Sequence, residues 1–177
     1  GSSGCWWNKC SFCPEPAEGS RYLPVPPREA VAQLKGLVEQ HRPSLIHLLD
    51  NAVSPALLNA LSDGPPGAPW YGFSRIGQEL EDPSFCRSLR RSGCVMLKLG
   101  LESGDQQVLD GLRKGTTVEG ASRVLTNLAD AGIGTYVYLL FGTPAEDEAA
   151  ARRTLDFTVR HADRIGFLNL AVFNMPL

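Results

Sequence analysis

Apolar residues recur along this chain in two alternating rhythms. Between Pro27 and Gln40, Ala30, Val31, Leu34, Leu37 and Val38 fall three or four apart, the period of an amphipathic helix. From Cys94 the period is two: Val95, Leu97, Leu99 and Leu101 share one side, and Met96, Lys98, Gly100 and Glu102 the other. The same rhythms, punctuated by Gly, Pro, Asn and Asp, predict strands at 44–49, 70–75, 94–101, 134–141 and 165–173. Helices are predicted behind a Ser54 cap, from Pro83 to a Ser92–Gly93 stop, from an Asp105 cap to about Leu112, and over 117–130 and 146–161. Residues 14–27, rich in Pro, Glu and Gly, read as a loop, and Asn174, Met175 and Pro176 follow the last strand.

Strand and helix alternate, which predicts an α/β fold with a parallel sheet and helical crossovers. A closed eight-fold barrel needs a longer chain, so an open doubly wound sheet or a partial barrel fits. Either way, ligands belong at the carboxyl ends of the strands. Those ends carry Asp50–Asn51, Arg75, Glu102–Ser103, Gly142–Thr143 and Phe173–Asn174. The all-aliphatic side of 95–101 should face the helices, which turns Lys98 and Glu102 into the concave interior. Ile46, Leu48 and Asp50 share one side of their strand, and Lys98 is expected to pair with Asp50 across the interior, because a buried unpaired lysine is costly.

Composition narrows the class without naming a chemistry. The chain is 43% hydrophobic and 20% charged, ordinary for one globular domain over 1–177. Its 17 basic and 19 acidic residues leave no basic excess for a nucleic acid. Arg87, Arg90 and Arg91 read as compensation at a helix end. No apolar run reaches the roughly 18 residues of a membrane span, and no signal peptide is visible. Five cysteines are odd in number, which argues against a disulfide framework and for a reducing cytoplasm. Cys86 and Cys94 lie in apolar text and read as buried small side chains.

The other three cysteines carry the chemistry. Cys5, Cys10 and Cys13 stand in a C-x4-C-x2-C spacing. Three thiolates can hold three corners of a cubane iron–sulfur cluster and leave the fourth iron open to a ligand. The rival reading is a structural zinc site, which needs His41, His47 or another cysteine as fourth ligand. His47, between Ile46 and Leu48, reads instead as a core histidine facing helices. A plain electron-transfer protein is a further rival, but it normally has a fourth cysteine.

In these residues the chain resembles the radical S-adenosylmethionine (radical SAM) enzymes. The cysteine loop, with the aromatic Phe12 before its last cysteine, is similar to that superfamily's cluster loop. LKLGLESGDQQVLDGLRKGTT is similar to its fourth-strand motif, and AGIGTYVYLLFGTPAEDEAAARRTLDF to its fifth strand with a G-x-P-x-E turn. The resemblance implies a partial (β/α)6 TIM-like barrel, here lacking its first strand and last helix, as the core of a longer chain. It implies a [4Fe-4S] cluster on Cys5, Cys10 and Cys13 whose open iron binds SAM, and reductive cleavage of SAM to a 5′-deoxyadenosyl radical. It implies cofactor contacts from Phe12, Asp50, Asn51, Glu102, Ser103, Leu140, Phe173 and Asn174, with Arg75 holding the SAM carboxylate or a substrate anion. It also implies a flavodoxin- or ferredoxin-type electron donor. The first cysteine gap is one residue wider than the commonest spacing and is similar to that of some cobalamin-associated and peptide-modifying members, which admits as an alternative a methyltransferase core using cobalamin bound outside these residues. Trp6 and Trp7 are expected to pack the loop against the barrel.

Overall fold

The computed structural model describes residues 1–174. Its short strands are β1 (Ser2–Ser3) and β2 (Leu23–Pro24), with the four-residue helix α1 (Pro14–Ala17) between them. There follow α2 (Pro27–His41), β3 (Ile46–Leu48), α3 (Pro55–Asp63), β4 (Trp70–Ser74), α4 (Pro83–Arg91), β5 (Cys94–Glu102), α5 (Gln106–Gly111), α6 (Val118–Asp130), β6 (Gly134–Phe141), α7 (Glu148–Arg160) and β7 (Phe167–Val172). Met175 and Pro176, expected beyond the last strand, lie outside the described residues.

The strands β3 to β7 pair in parallel and in strict chain order, β3-β4-β5-β6-β7. Each helical crossover therefore steps one strand onward in the same direction. That is the winding of a partial TIM-like barrel; a doubly wound sheet would reverse its strand order. The helix-covered face holds the core: Leu48, Trp70, Leu97, Leu99, Leu101, Val137 and Leu139, against Leu58, Leu61, Leu89, Val124, Leu125 and Leu128.

Side-chain caps start the helices where the sequence places them. Ser54, Asp105 and Thr117 each accept from a backbone N–H at the third helical position. Burial alone would raise the Asp105 carboxyl, but Arg153 and the Val108 amide hold it below the ordinary carboxylate range. Asp105→Ala should cost about 1–2 kcal/mol in urea unfolding at neutral pH. The share due to ionisation should fade as pH falls through the lowered native pKa, because only the ionised carboxylate is held by Arg153. A stability equal to wild type at neutral pH would contradict this.

Three expectations are corrected. Residues 14–27 are not all loop: α1 opens at Pro14, and Leu23–Pro24 pairs antiparallel with Ser2–Ser3. The last helix begins at Glu148 behind an Asp147 cap, because the Glu146 carboxylate turns back to accept the Gly142 N–H. His47 does not face helices; it is exposed on the inner face and stacks on Tyr71 with ring centroids 4.2 Å apart. The aliphatic pair Ile46 and Leu48 instead takes the helix-facing side of that strand.

Candidate functional site at the strand ends

The register decides which side chains share the inner face of the half-barrel. His47 lies beside Tyr71, Tyr71 beside Met96, Phe73 beside Lys98, Lys98 beside Tyr136, and Gly100 beside Tyr138. Rings meet across strands in Phe73–Tyr138 at 5.1 Å and Tyr136–Phe167 at 5.8 Å, and along β6 in Tyr136–Tyr138 at 4.9 Å. Lys98 points into this face, as its alternation predicts, with its amine 5.9 Å from the Tyr71 ring centroid. The expected Lys98–Asp50 pair does not form. Asp50 instead accepts from the Gly1 backbone nitrogen at 3.0 Å and the Ser2 hydroxyl at 2.6 Å. β3 ends at Leu48, so the strand's alternation does not govern where Asp50 points.

The cysteine loop lies across the carboxyl ends of β3, β4 and β5. At β3, Asn51 donates to Glu15 at 2.6 Å. At β4, an Arg75 terminal nitrogen lies 3.7 Å from the Cys10 sulfur, and the other donates to the Lys114 carbonyl. Beyond β5, the loop docks on residues 111–115. Ser11 donates its N–H to the Leu112 carbonyl and its hydroxyl to the Gly111 carbonyl, and Trp7 Nε1 donates to the Arg113 carbonyl at 3.0 Å. Trp7 also sets its ring edge against Gly115, where a Cβ would stand 2.5 Å from Cη2 and Cζ2. Trp7 thus packs the loop against the barrel as expected, and Trp6 meets Trp7 edge to face at 6.0 Å, with the Arg75 guanidinium 5.6 Å from its own ring. Phe12 packs with Val108, Leu112 and Ala150, on the helix side.

Each remaining candidate has a definite place. Glu102 sits at a positive φ of 68° at the end of β5, its carboxylate 3.1 Å from the Lys114 amine. Its reach back over Gly100 puts it on the inner face. The Ser103 hydroxyl is fully buried and is engaged by Thr154 at 2.9 Å and the Asp105 N–H at 3.1 Å. Leu140 is half-buried beside Ala171, and the Phe173 N–H donates to the Phe141 carbonyl at 2.7 Å. Asn174 is exposed just past β7. Lys114 and Gly115, which anchor the loop and orient Glu102, were not singled out from the sequence. The Lys-Gly step closing the short α5 segment was their only sign.

All five cysteines are free. Burial raises the Cys13 thiol, the Glu15 N–H lowers it, and the nearby Cys10 and Cys5 thiols raise it again, so the three share one electrostatic neighbourhood. Cys86 and Cys94 are buried and pushed up to about 12 by desolvation, which makes them inert core thiols. Among the described residues, no three His, Cys, Asp or Glu side chains converge tightly enough to hold a single metal ion. The zinc reading loses its fourth ligand as well, since His47 is stacked on Tyr71 and His41 ends α2, exposed. The loop does suit a cubane, whose corners keep thiolates further apart than one ion does. It offers three free thiols, a guanidinium beside one of them, and the buried Trp6 Nε1 without a partner among the described residues.

No protein-family model matches the chain. It is 29% identical over 161 residues to the anaerobic magnesium-protoporphyrin IX monomethyl ester cyclase of Rubrivivax gelatinosus, covering 86% of this chain and 28% of that one. Among solved structures it superposes on TsrM from Kitasatospora setae, a radical S-adenosylmethionine methyltransferase with cobalamin and a [4Fe-4S] cluster bound. The TM-score is 0.80 at 22% identity, covering 97% of this chain and 35% of that one. The cobalamin-dependent S-adenosylmethionine radical enzyme OxsB gives a TM-score of 0.69 at 20% identity, covering 88% and 25%. The chain thus spans about a third or less of the length of these relatives. The resemblance read from the sequence stands: the chain has the core fold of radical SAM enzymes. Among the described residues, no helix is long and apolar enough to cross a membrane.

Proposed function

We propose that this chain is the catalytic core of a radical SAM enzyme, holding a [4Fe-4S] cluster on Cys5, Cys10 and Cys13 with S-adenosylmethionine beside it. The observation that carries the reading is a three-thiol loop docked on the carboxyl ends of a half-barrel, joined to β4 through Arg75 and to residues 111–115 beyond β5. When bound, the cluster supplies one electron to the sulfonium of SAM, breaking a C–S bond to give methionine and a 5′-deoxyadenosyl radical.

The chain's own residues hold and orient. The Asp50 carboxylate, buried just past the end of β3, suits the amino group of the methionine part. Glu102, kept on the inner face by Lys114, suits the ribose hydroxyls. Leu140 and the backbone at Phe173–Asn174 suit adenine. Asn51 and Phe12 act by fixing the loop, and Ser103, with its hydroxyl engaged, by its main chain. The electron donor is a flavodoxin- or ferredoxin-type protein, and the compartment a reducing cytoplasm.

The ring-lined inner wall suits a planar conjugated substrate, and the cyclase relative's name specifies a magnesium porphyrin ester. Tyr138→Ala removes the ring shared by two of the pairs. An absorbance titration with protoporphyrin should show weaker binding than wild type, and equal affinity would contradict this substrate class.

A second reading, methyl transfer with cobalamin, is favoured by the wide first cysteine gap and by the cobalamin named for both structural relatives. Products separate the two. Reduced, iron-loaded protein given SAM should release 5′-deoxyadenosine and methionine. S-adenosylhomocysteine formed only when cobalamin is added would favour methyl transfer. Iron-loaded protein giving neither would overturn both.

A further inference from the structure

We propose that Arg75 sets the reduction potential of the cluster held by the cysteine loop, an inference that rests on the cluster reading above. Arg75 is 7% exposed at the end of β4. Three contacts fix its guanidinium. One nitrogen donates to the Lys114 carbonyl, a second points at the Cys10 sulfur from 3.7 Å, and the guanidinium Cζ lies 4.0 Å from the centroid of the Trp7 ring. Trp7 is itself locked by its bond to the Arg113 carbonyl and by its seat on Gly115.

Among the described residues, no carboxylate forms an ion pair with Arg75. Glu102 acts on Arg75 only at longer range and is already paired with Lys114. A buried cation without a contacting counter-charge is expensive, and a thiolate-ligated cluster supplies negative charge in contact with it. Reduction adds one electron, hence one unit of negative charge, beside this cation. An N–H···S bond and a fixed positive charge both favour the reduced form, and hydrogen bonds to the sulfurs are a recognised determinant of cluster potential. Holding a SAM carboxylate, the role expected from the resemblance, would require the guanidinium to leave the sulfur or the carbonyl it already serves.

The test is a mediated redox titration of anaerobically reconstituted protein without SAM, followed by electron paramagnetic resonance. Wild type is compared with Arg75→Lys, which keeps the charge but loses the fork, and Arg75→Gln, which keeps donors but loses the charge. Iron per chain is measured alongside. At the wild-type midpoint, Arg75→Gln should show at least a tenfold lower reduced-to-oxidised ratio, a shift of about 59 mV for a one-electron couple. Arg75→Lys should fall between. Unchanged midpoints in iron-loaded variants would overturn the inference while leaving the cluster reading intact. So would a loss confined to SAM affinity. A wild-type protein that takes up no iron would overturn the cluster reading, and this inference with it. Should Arg75→Gln fail to load iron, Arg75→Lys alone decides: a lowered midpoint supports the role and an unchanged one removes it.

Discussion

Replacing Cys13 by alanine should take reconstituted protein from a full cubane of iron to almost none and reduce SAM cleavage to background. The backbone should survive, because the loop is held by Ser11, Trp7 and Arg75 rather than by the Cys13 sulfur. Two thiolates cannot fix three corners of a cubane, and no other cysteine stands ready, since Cys86 and Cys94 are buried on the helix side of the sheet. Cys86→Ala is the informative control. It should keep its iron and lose stability instead, because its thiol is an inert part of the core. Iron analysis and circular dichroism read the two effects apart. A Cys13→Ala protein with wild-type iron would show that the ligand set is elsewhere.

Gly115→Val should free the cysteine loop from the barrel. Gly115 has φ 64°, a conformation that costs an ordinary L-residue roughly 1–2 kcal/mol and a β-branched one more. Space is the larger obstacle: a Cβ there stands 2.5 Å from the Trp7 ring. Trp7 cannot retreat without giving up the Arg113 carbonyl and the contact with Arg75. Unfolding should therefore cost about 2–4 kcal/mol less than in wild type, combining backbone strain with overpacking. A chelator should strip iron many times faster, and Trp emission should shift red. Gly19→Ala isolates strain from crowding, since Gly19 has φ 68° but nothing within 4 Å of the added carbon. It should lose some stability and keep its iron. If both variants released iron equally fast, the seat of Trp7 on Gly115 would be irrelevant to the loop.

How much of this was legible follows from how far each contact reaches along the chain. The strands and caps are local, and Leu97, Leu99 and Leu101 announce their buried face within a few residues. The cysteine spacing is local as well. The ring contacts His47–Tyr71 and Phe73–Tyr138 are not: each joins different strands and forms only once register is fixed. Alternation places Tyr136 and Tyr138 on one face, yet it misassigns His47, because a three-residue strand offers too few positions to set its side. Arg75 beside Cys10 spans 65 residues and Ser11 on Gly111 spans 100, distances over which no sequence period operates. Asp50 was placed by its strand end and misjudged in its partner, because the residues it meets, Gly1 and Ser2, belong to a segment with no rhythm to read.

The most direct measurement is anaerobic reconstitution with iron and sulfide, then electron paramagnetic resonance of the reduced protein with and without S-adenosylmethionine. Four irons per chain are expected for a cubane, with a spectrum that changes when SAM is added, as the open iron takes a ligand. Stoichiometric zinc, or a cluster spectrum indifferent to SAM, would contradict the cluster reading.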